Sequence, residues 1–285
     1  MPSAGSDFGD DVVEDFFPLE KTRHFLYQKV ILSSDPSGAD CIVLLKHGLQ
    51  NHLSFARIGD TKWTWVDTME RCDRYDNFFY NENDNLFYAV RNIGEIHIID
   101  LNSLSPVVKV ILKPMPPVNC HTHYILRAPW GDLLQVRRLY GAGLPHSDDD
   151  IFMSYQEELV YMYLGQYQHE LGVVDDEEAC PPRGRLTVHR VELAEQRITE
   201  IKDLQEHTLF VGFNNTFMIH ARDFPNLSPN HVYIPDDNTE YIVCDPFDGR
   251  ELTCLNLEDA TLTDLSFPDS QLDWPPPVWF RPHLS

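Results

Sequence analysis

A chain of 285 residues is long enough for two ordinary domains or one large all-β domain, and it can bury a core without disulfides or metals. Hydrophobic residues make up 42%, with 16 Phe, 12 Tyr and 5 Trp, which is a globular balance rather than a disordered one. The formal charge of −23 argues against a nucleic-acid binder, which needs clustered Lys and Arg to displace counterions, and equally against docking on anionic membranes.

The charge is uneven along the chain. Residues 1–20 hold six acids and no base, residues 141–184 ten acids and one base, and residues 236–273 eleven acids and one base. The remaining body is nearly neutral. Such runs read as solvated segments or as docking surfaces for a basic partner. Residues 1–24 are expected to be an acidic, disordered segment without the basic flank and apolar run of a signal peptide. No stretch approaches 18 uninterrupted apolar residues, so no membrane span is predicted. Six scattered cysteines without a C-x-x-C pair fit reduced thiols in the cytosol or nucleus.

From residue 29 onward the period is that of strands. A first group comprises Lys29–Ser33, Cys41–Leu45, His52–Arg57 and Lys62–Val66, the last placing Trp63 and Trp65 on one face by alternation. A second comprises Asn77–Tyr80, Asn85–Val90, Glu95–Asp100 and Val107–Ile111. The third is Tyr124–Arg127, Asp132–Arg137, Leu186–Val191 and Arg197–Ile201. The fourth is His207–Val211, Thr216–His220, His231–Ile234 and Tyr241–Cys244, trailed by Glu251–Leu255. Leu86–Leu101 and Tyr241–Leu255 both read strand, Gly turn, strand. Recurring groups of about four strands predict an all-β propeller of four-stranded antiparallel blades; a β-sandwich would give similar strands without the recurring group.

Residues 141–184 form an acidic insertion in the third group. Within it Phe152, Tyr155, Leu159 and Met162 fall at helical spacing, so an amphipathic helix is expected, either a lid on a blade edge or a partner-binding helix. Near the C-terminus, Trp274-Pro-Pro-Pro-Val-Trp-Phe280 is a stiff extended segment, read either as a ligand for a polyproline-binding domain or, better, as a tail pinned to the body by its aromatics. Asn214-Asn215-Thr216 fits a glycosylation sequon that is inert without a secretory signal.

Signals for chemistry are weak. In Cys120-His-Thr-His123 the two imidazoles share a strand face, but no third ligand stands at a fixed spacing, so no metal is predicted. Phosphate-binding glycine loops and the G-x-S-x-G elbow are absent. Acid pairs for a propeller-fold hydrolase are possible in any acidic chain and discriminate nothing. The five tryptophans could stack on sugars but suit a core better.

Several runs carry a resemblance. Lys29-Val-Ile-Leu-Ser-Ser-Asp-Pro-Ser-Gly38, Leu53-Ser-Phe-Ala-Arg-Ile-Gly-Asp-Thr-Lys-Trp-Thr-Trp-Val-Asp67, Gly131-Asp-Leu-Leu-Gln-Val136, Leu209–Phe217, Asp223–Asp237 and Pro275–Phe280 resemble the plant KIB-type β-propeller family, an F-box-associated domain of unknown function numbered 295. The resemblance covers residues 25–285 and implies structural rather than catalytic signature positions: Phe55, Asp60, Trp63, Trp65, Gly131, Gly212, Phe224, Pro225 and Trp279. Phe55, Trp63 and Trp65 are expected to fill space between blades, Gly212 to allow a close backbone approach, and Phe224 with Pro225 to seat an aromatic in the core beside a turn. Family members carry an N-terminal F-box, a helical module that docks on a Skp-type adaptor; no F-box pattern precedes Lys29, so that contact is not expected, and the propeller reads as incomplete at its N-terminus. The resulting expectation is a non-enzymatic protein-interaction propeller without cofactor or metal, binding an unidentified protein. The alternatives are a substrate receptor of an F-box-type ubiquitin ligase and, further off, a propeller-fold hydrolase.

Overall fold

The computed structural model describes residues 27–38, 40–48, 51–66, 74–103, 105–114, 122–139, 185–212, 214–235, 252–265 and 279. They form an all-β propeller of four consecutive sheets. The first contains β1 (Tyr27–Leu32), β2 (Ile42–His47), β3 (His52–Arg57) and β4 (Thr64–Trp65), and the second β5 (Tyr75–Asn81), β6 (Leu86–Arg91), β7 (Ile96–Asp100) and β8 (Val107–Leu112). The third holds β9 (Thr122–Arg127), β10 (Leu133–Leu139), β11 (Arg185–Glu192) and β12 (Arg197–Ile201). These three are antiparallel meanders in chain order.

The fourth sheet departs from the expected pattern. It has five strands, β13 (His207–Phe210), β14 (Phe217–His220), β15 (His231–Pro235), β16 (Leu252–Asn256) and β17 (Leu262–Asp264), in the order β14-β13-β15-β16-β17. β13 and β15 run parallel, with Leu209 opposite Val232. A parallel neighbour requires a crossover rather than a hairpin. A 3-10 turn at Ala221–Asp223 and the residues after it supply that crossover, and Asn230 anchors its end. The amide oxygen of Asn230 accepts from Leu204 N, its amide nitrogen donates to Glu258, and its backbone N–H donates to His207 O. The strand expected at 241–244 lies outside the described residues, as do the insertion's helix and the acidic segment 1–24.

Alternation explains how the sheets stack. β6 is buried along nearly its whole length because both its faces meet a neighbour. Phe87 and Ala89 pack with Leu44, Leu53 and Phe55 of the first sheet, whereas Tyr88 and Val90 pack with Ile125 and Leu133 of the third. β9 and β10 repeat the scheme one sheet on: Tyr124, Leu126, Leu134 and Val136 meet Leu209, Val211, Met218 and Val232 of the fourth. Each Leu, Ile, Val, Met or Phe side chain among them contributes about 1.5–3 kcal/mol when fully buried. Cys41 and Cys254 are free thiols in this interior.

The end sheets differ, because each has one face without a covering sheet among the described residues. On the first, Val30, Leu32 and Trp65 are exposed. Trp65 corrects the sequence expectation: it is 55% exposed and does not fill the space between blades. Trp65 pairs with Ser54 and Thr64 with Phe55, so in an alternating strand Trp65 faces away from Phe55 and from the second sheet. Its ring instead lies beside His47 and His52, with centroids 5.3 and 5.1 Å away. Trp63 precedes the two-residue strand β4 and is half-buried, so the two tryptophans do not share a strand face.

Candidate functional site

Two regions hold the polar and aromatic side chains from which a function could be built. One is a buried network joining the first three sheets. Lys29 Nζ donates to Asn77 Oδ1 at 3.1 Å, Lys46 Nζ to the Asp76 carbonyl at 2.9 Å, and Gln135 Nε2 to the Gly94 carbonyl at 2.8 Å. Asp76 Oδ2 accepts from the backbone N–H of His123 at 2.9 Å and lies 3.1 Å from its Nδ1. In the second sheet the Tyr75 hydroxyl is 2.7 Å from His97 Nδ1, His97 Nε2 is 2.6 Å from Glu95 Oε1, and Arg91 donates to the same oxygen at 2.7 Å.

The Tyr75–His97–Glu95 relay has the connectivity of an activated nucleophile, but Tyr75 is only 1% exposed. A hydroxyl sealed this way braces the blade and reaches no substrate. Burial tends to raise the Glu95 carboxyl, yet the hydrogen bonds from Arg91 and His97 outweigh it and hold the group below its usual range. Burial, then the neighbouring Lys46, lowers the Lys29 ammonium well below a free lysine. Burial and next Arg137 push His189 down to about 4. Among the described residues no three His, Cys, Asp or Glu side chains are grouped to hold a metal ion, and His121 lies outside them. No helix there is long and apolar enough to cross a membrane.

The second region is an open groove of about 270 Å³ on the uncovered face of the fourth sheet. Phe210 of β13 and Phe217 and Ile219 of β14 form one wall, the turn Phe224–Leu227 another, and Trp279 closes one side. Among the described residues the lining contains one polar side chain, Asn226, and no ionisable group. Phe210 stacks on Phe217 at 5.2 Å and on Tyr233 at 4.9 Å, while the Trp279 ring meets Phe210 edge-on at 5.0 Å. Trp279 is held by three hydrogen bonds. Its indole N–H donates to the Val211 carbonyl at 2.6 Å, its backbone N–H to Asn214 Oδ1 at 3.3 Å, and Asn214 Nδ2 donates to its carbonyl at 2.9 Å. A side-chain amide that grips one residue's N–H and C=O in this way acts like a short stretch of strand.

Gly212 explains why the indole fits so closely, since a Cβ there would stand 3.0 Å from Trp279 Cδ1 and 3.1 Å from its Nε1. The sequon asparagine Asn214 is thus committed to the Trp279 backbone. The groove brings together four of the signature positions, Gly212, Phe224, Pro225 and Trp279. Phe224 is half-buried on the groove wall rather than seated in the core, because the turn after Ala221–Asp223 carries it out beside the sheet. Pro225 is exposed at the rim.

The other signature positions lie elsewhere. Phe55 sits in the core between the first two sheets under the Arg57 guanidinium, 5.0 Å away. Asp60 caps the turn after β3, its carboxylate accepting from Arg57 N at 2.8 Å. Gly131, at φ +98°, makes the turn between β9 and β10 in a conformation side chains avoid. Sequence inspection had no way to single out Phe210, Phe217, Ile219 and Leu227 as groove residues, because in one dimension they are ordinary strand and turn apolars.

A family model described as KIB1-4 beta-propeller matches residues 8–253. The F-box protein SKIP23 of Arabidopsis thaliana is 24% identical over 283 residues, which covers 96% of this chain and 60% of that protein. The chain therefore spans about 60% of the length of this curated relative. Among solved structures, the tricorn protease overlaps 79% of this chain and 25% of its own, at 9% identity and a TM-score of 0.33.

Proposed function

The chain belongs to the KIB1-4 β-propeller family, and from that membership we propose that it is a non-enzymatic protein-interaction module whose fourth sheet holds a segment of another protein. One observation carries the reading: among the described residues the groove beside Trp279 is open, apolar and lined by no ionisable group, whereas the described candidate relay is sealed between blades. Exposed aromatic surface of this kind favours association through desolvation, with Trp and Phe as the residues that gain most. Affinity capture from plant extract with the wild-type chain and with Leu227→Glu tests it. A reproducible set of proteins retained by the first and lost from the second is expected. Equal capture by both, or none by either, overturns the reading.

A second reading is favoured by the name of the relative, an F-box protein. In it, this propeller is the recognition part of a ubiquitin-ligase substrate receptor. A pull-down with a Skp-type adaptor tests it: retention of the adaptor by this chain supports the receptor.

A further inference from the structure

We infer that Phe210, Val211, Gly212 and Asn214 form a receptor for an extended, uncharged segment bearing a tryptophan, that Trp279 occupies it in cis, and that a partner segment of the same chemistry takes its place. This rests on the interaction-module reading and names the chemistry of the partner. The occupant is defined by what already sits there. Val211 and Asn214 lie 68 and 65 residues from Trp279 in sequence, so the contact joins two separate stretches of chain, as a bound peptide would.

Each part of the contact selects something. Asn214 donates to the Trp279 carbonyl and accepts from its backbone N–H, which reads extended backbone irrespective of the side chain. The Val211 carbonyl accepts the indole N–H at 2.6 Å. Val211 is fully buried, so a ring without an N–H, such as phenylalanine, leaves that acceptor unpaired. Gly212 admits the ring edge, and Phe210 and Tyr233 meet it edge-on at 5.0 and 6.3 Å. Among the described residues no ionisable side chain lines the adjoining groove, so a charged residue entering it would lose water without gaining a partner.

Trp279 can be exchanged because it is held locally. It belongs to no strand of the fourth sheet, and its ring is only half-buried. The groove of about 270 Å³ begins at that ring and stays open between Phe217, Phe224 and Leu227. In an extended chain the side chain two residues from the tryptophan lies roughly 7 Å away on the same face. An incoming segment with an apolar residue there fills space that Trp279 leaves empty, and this is its advantage over the resident.

Fluorescence anisotropy on the full chain tests this with three labelled, uncharged peptides of about nine residues, long enough to span ring site and groove. The first has a central Trp with Leu two residues to either side, the second replaces that Trp by Phe, and the third replaces both Leu by Ser. Trp279→Ala should bind the first at least about tenfold more tightly than the wild-type chain does, because the resident competitor is gone. On Trp279→Ala the first peptide should bind at least about tenfold more tightly than the second, and adding Asn214→Ala should weaken it by a similar factor. The third should bind several-fold more weakly than the first, and Trp65→Ser on the first sheet should change nothing. Trp279→Phe, which keeps a ring but not the N–H, replaces the Ala variant if that one fails to fold. Equal affinity of wild type and Trp279 variant overturns the competition, and equal binding of the Trp and Phe peptides overturns the tryptophan receptor. Binding of no peptide, or binding indifferent to Asn214→Ala, overturns the inference altogether. Capture unaffected by Leu227→Glu overturns the interaction-module reading separately.

Discussion

The second and fourth sheets contain nearly the same local device and use it differently. Phe79 and Tyr88 are cross-strand partners on β5 and β6, stacked at 5.3 Å and 15°. Phe210 and Phe217 are cross-strand partners on β13 and β14, stacked at 5.2 Å and 13°. The first pair is closed over by the third sheet and belongs to the core that includes Val90, Ile125 and Leu133. The second pair meets Trp279 on one side and an open groove on the other. Strand pairing sets ring geometry, and what lies above the rings decides whether they stabilise the fold or remain available to a partner.

The sharpest way to break this comparison is truncation on both sheets. Phe87→Ala in the second sheet should cost about 3–5 kcal/mol in urea unfolding, because the residue is enclosed and leaves a cavity. Phe217→Ala should cost less than about 1.5 kcal/mol, since its half-open site can fill with water. Equal costs would mean that the groove face is covered in solution. Next in size, Gly212→Ala pushes a Cβ against the Trp279 ring and should cost about 1–3 kcal/mol. A red shift of tryptophan emission at a temperature where the chain stays folded would mark the displaced indole.

A smaller effect comes from His189, which burial and Arg137 hold at a pKa of about 4. Below its unfolded value near 6.5 the unfolded chain takes up a proton that the folded chain refuses. Stability should therefore drop as pH falls from about 6.5 to about 4, and this group adds nothing below that. The loss should be about 1–2 kcal/mol, since solvent reaches part of the ring. His189→Gln should flatten the slope in that window, measured as urea midpoint against pH. The smallest effect belongs to the first sheet's exposed face: Trp65→Ala should change stability by less than about 0.5 kcal/mol. A larger loss would show that this face, like the second sheet's, is covered in solution.

Much of this architecture was legible in one dimension. The runs at Ile42–His47, Leu86–Arg91 and Arg185–Glu192 announce themselves through β-branched and aromatic residues bounded by turns, and their spacing groups them by sheet. Phe55 reads as core and Gly212 as a place of close approach for reasons that need no coordinates. Trp65 was misread because β4 has only two residues, too few for alternation to settle which face a ring takes. The parallel placement of β15 beside β13 was invisible for a different reason: a crossover and a hairpin both begin with the same kind of polar turn.

What the amino-acid order determined by itself is most of the strands, the grouping of the first three sheets and the concentration of acid in three stretches, all consequences of local periodicity and composition. Only the tertiary structure decided that Trp279, far along the chain, lies on Gly212, and that Phe217, Phe224 and Leu227 share one open wall. Those contacts depend on which sheet faces are left without a neighbour. That is a property of how whole sheets stack, and no short window of residues encodes it.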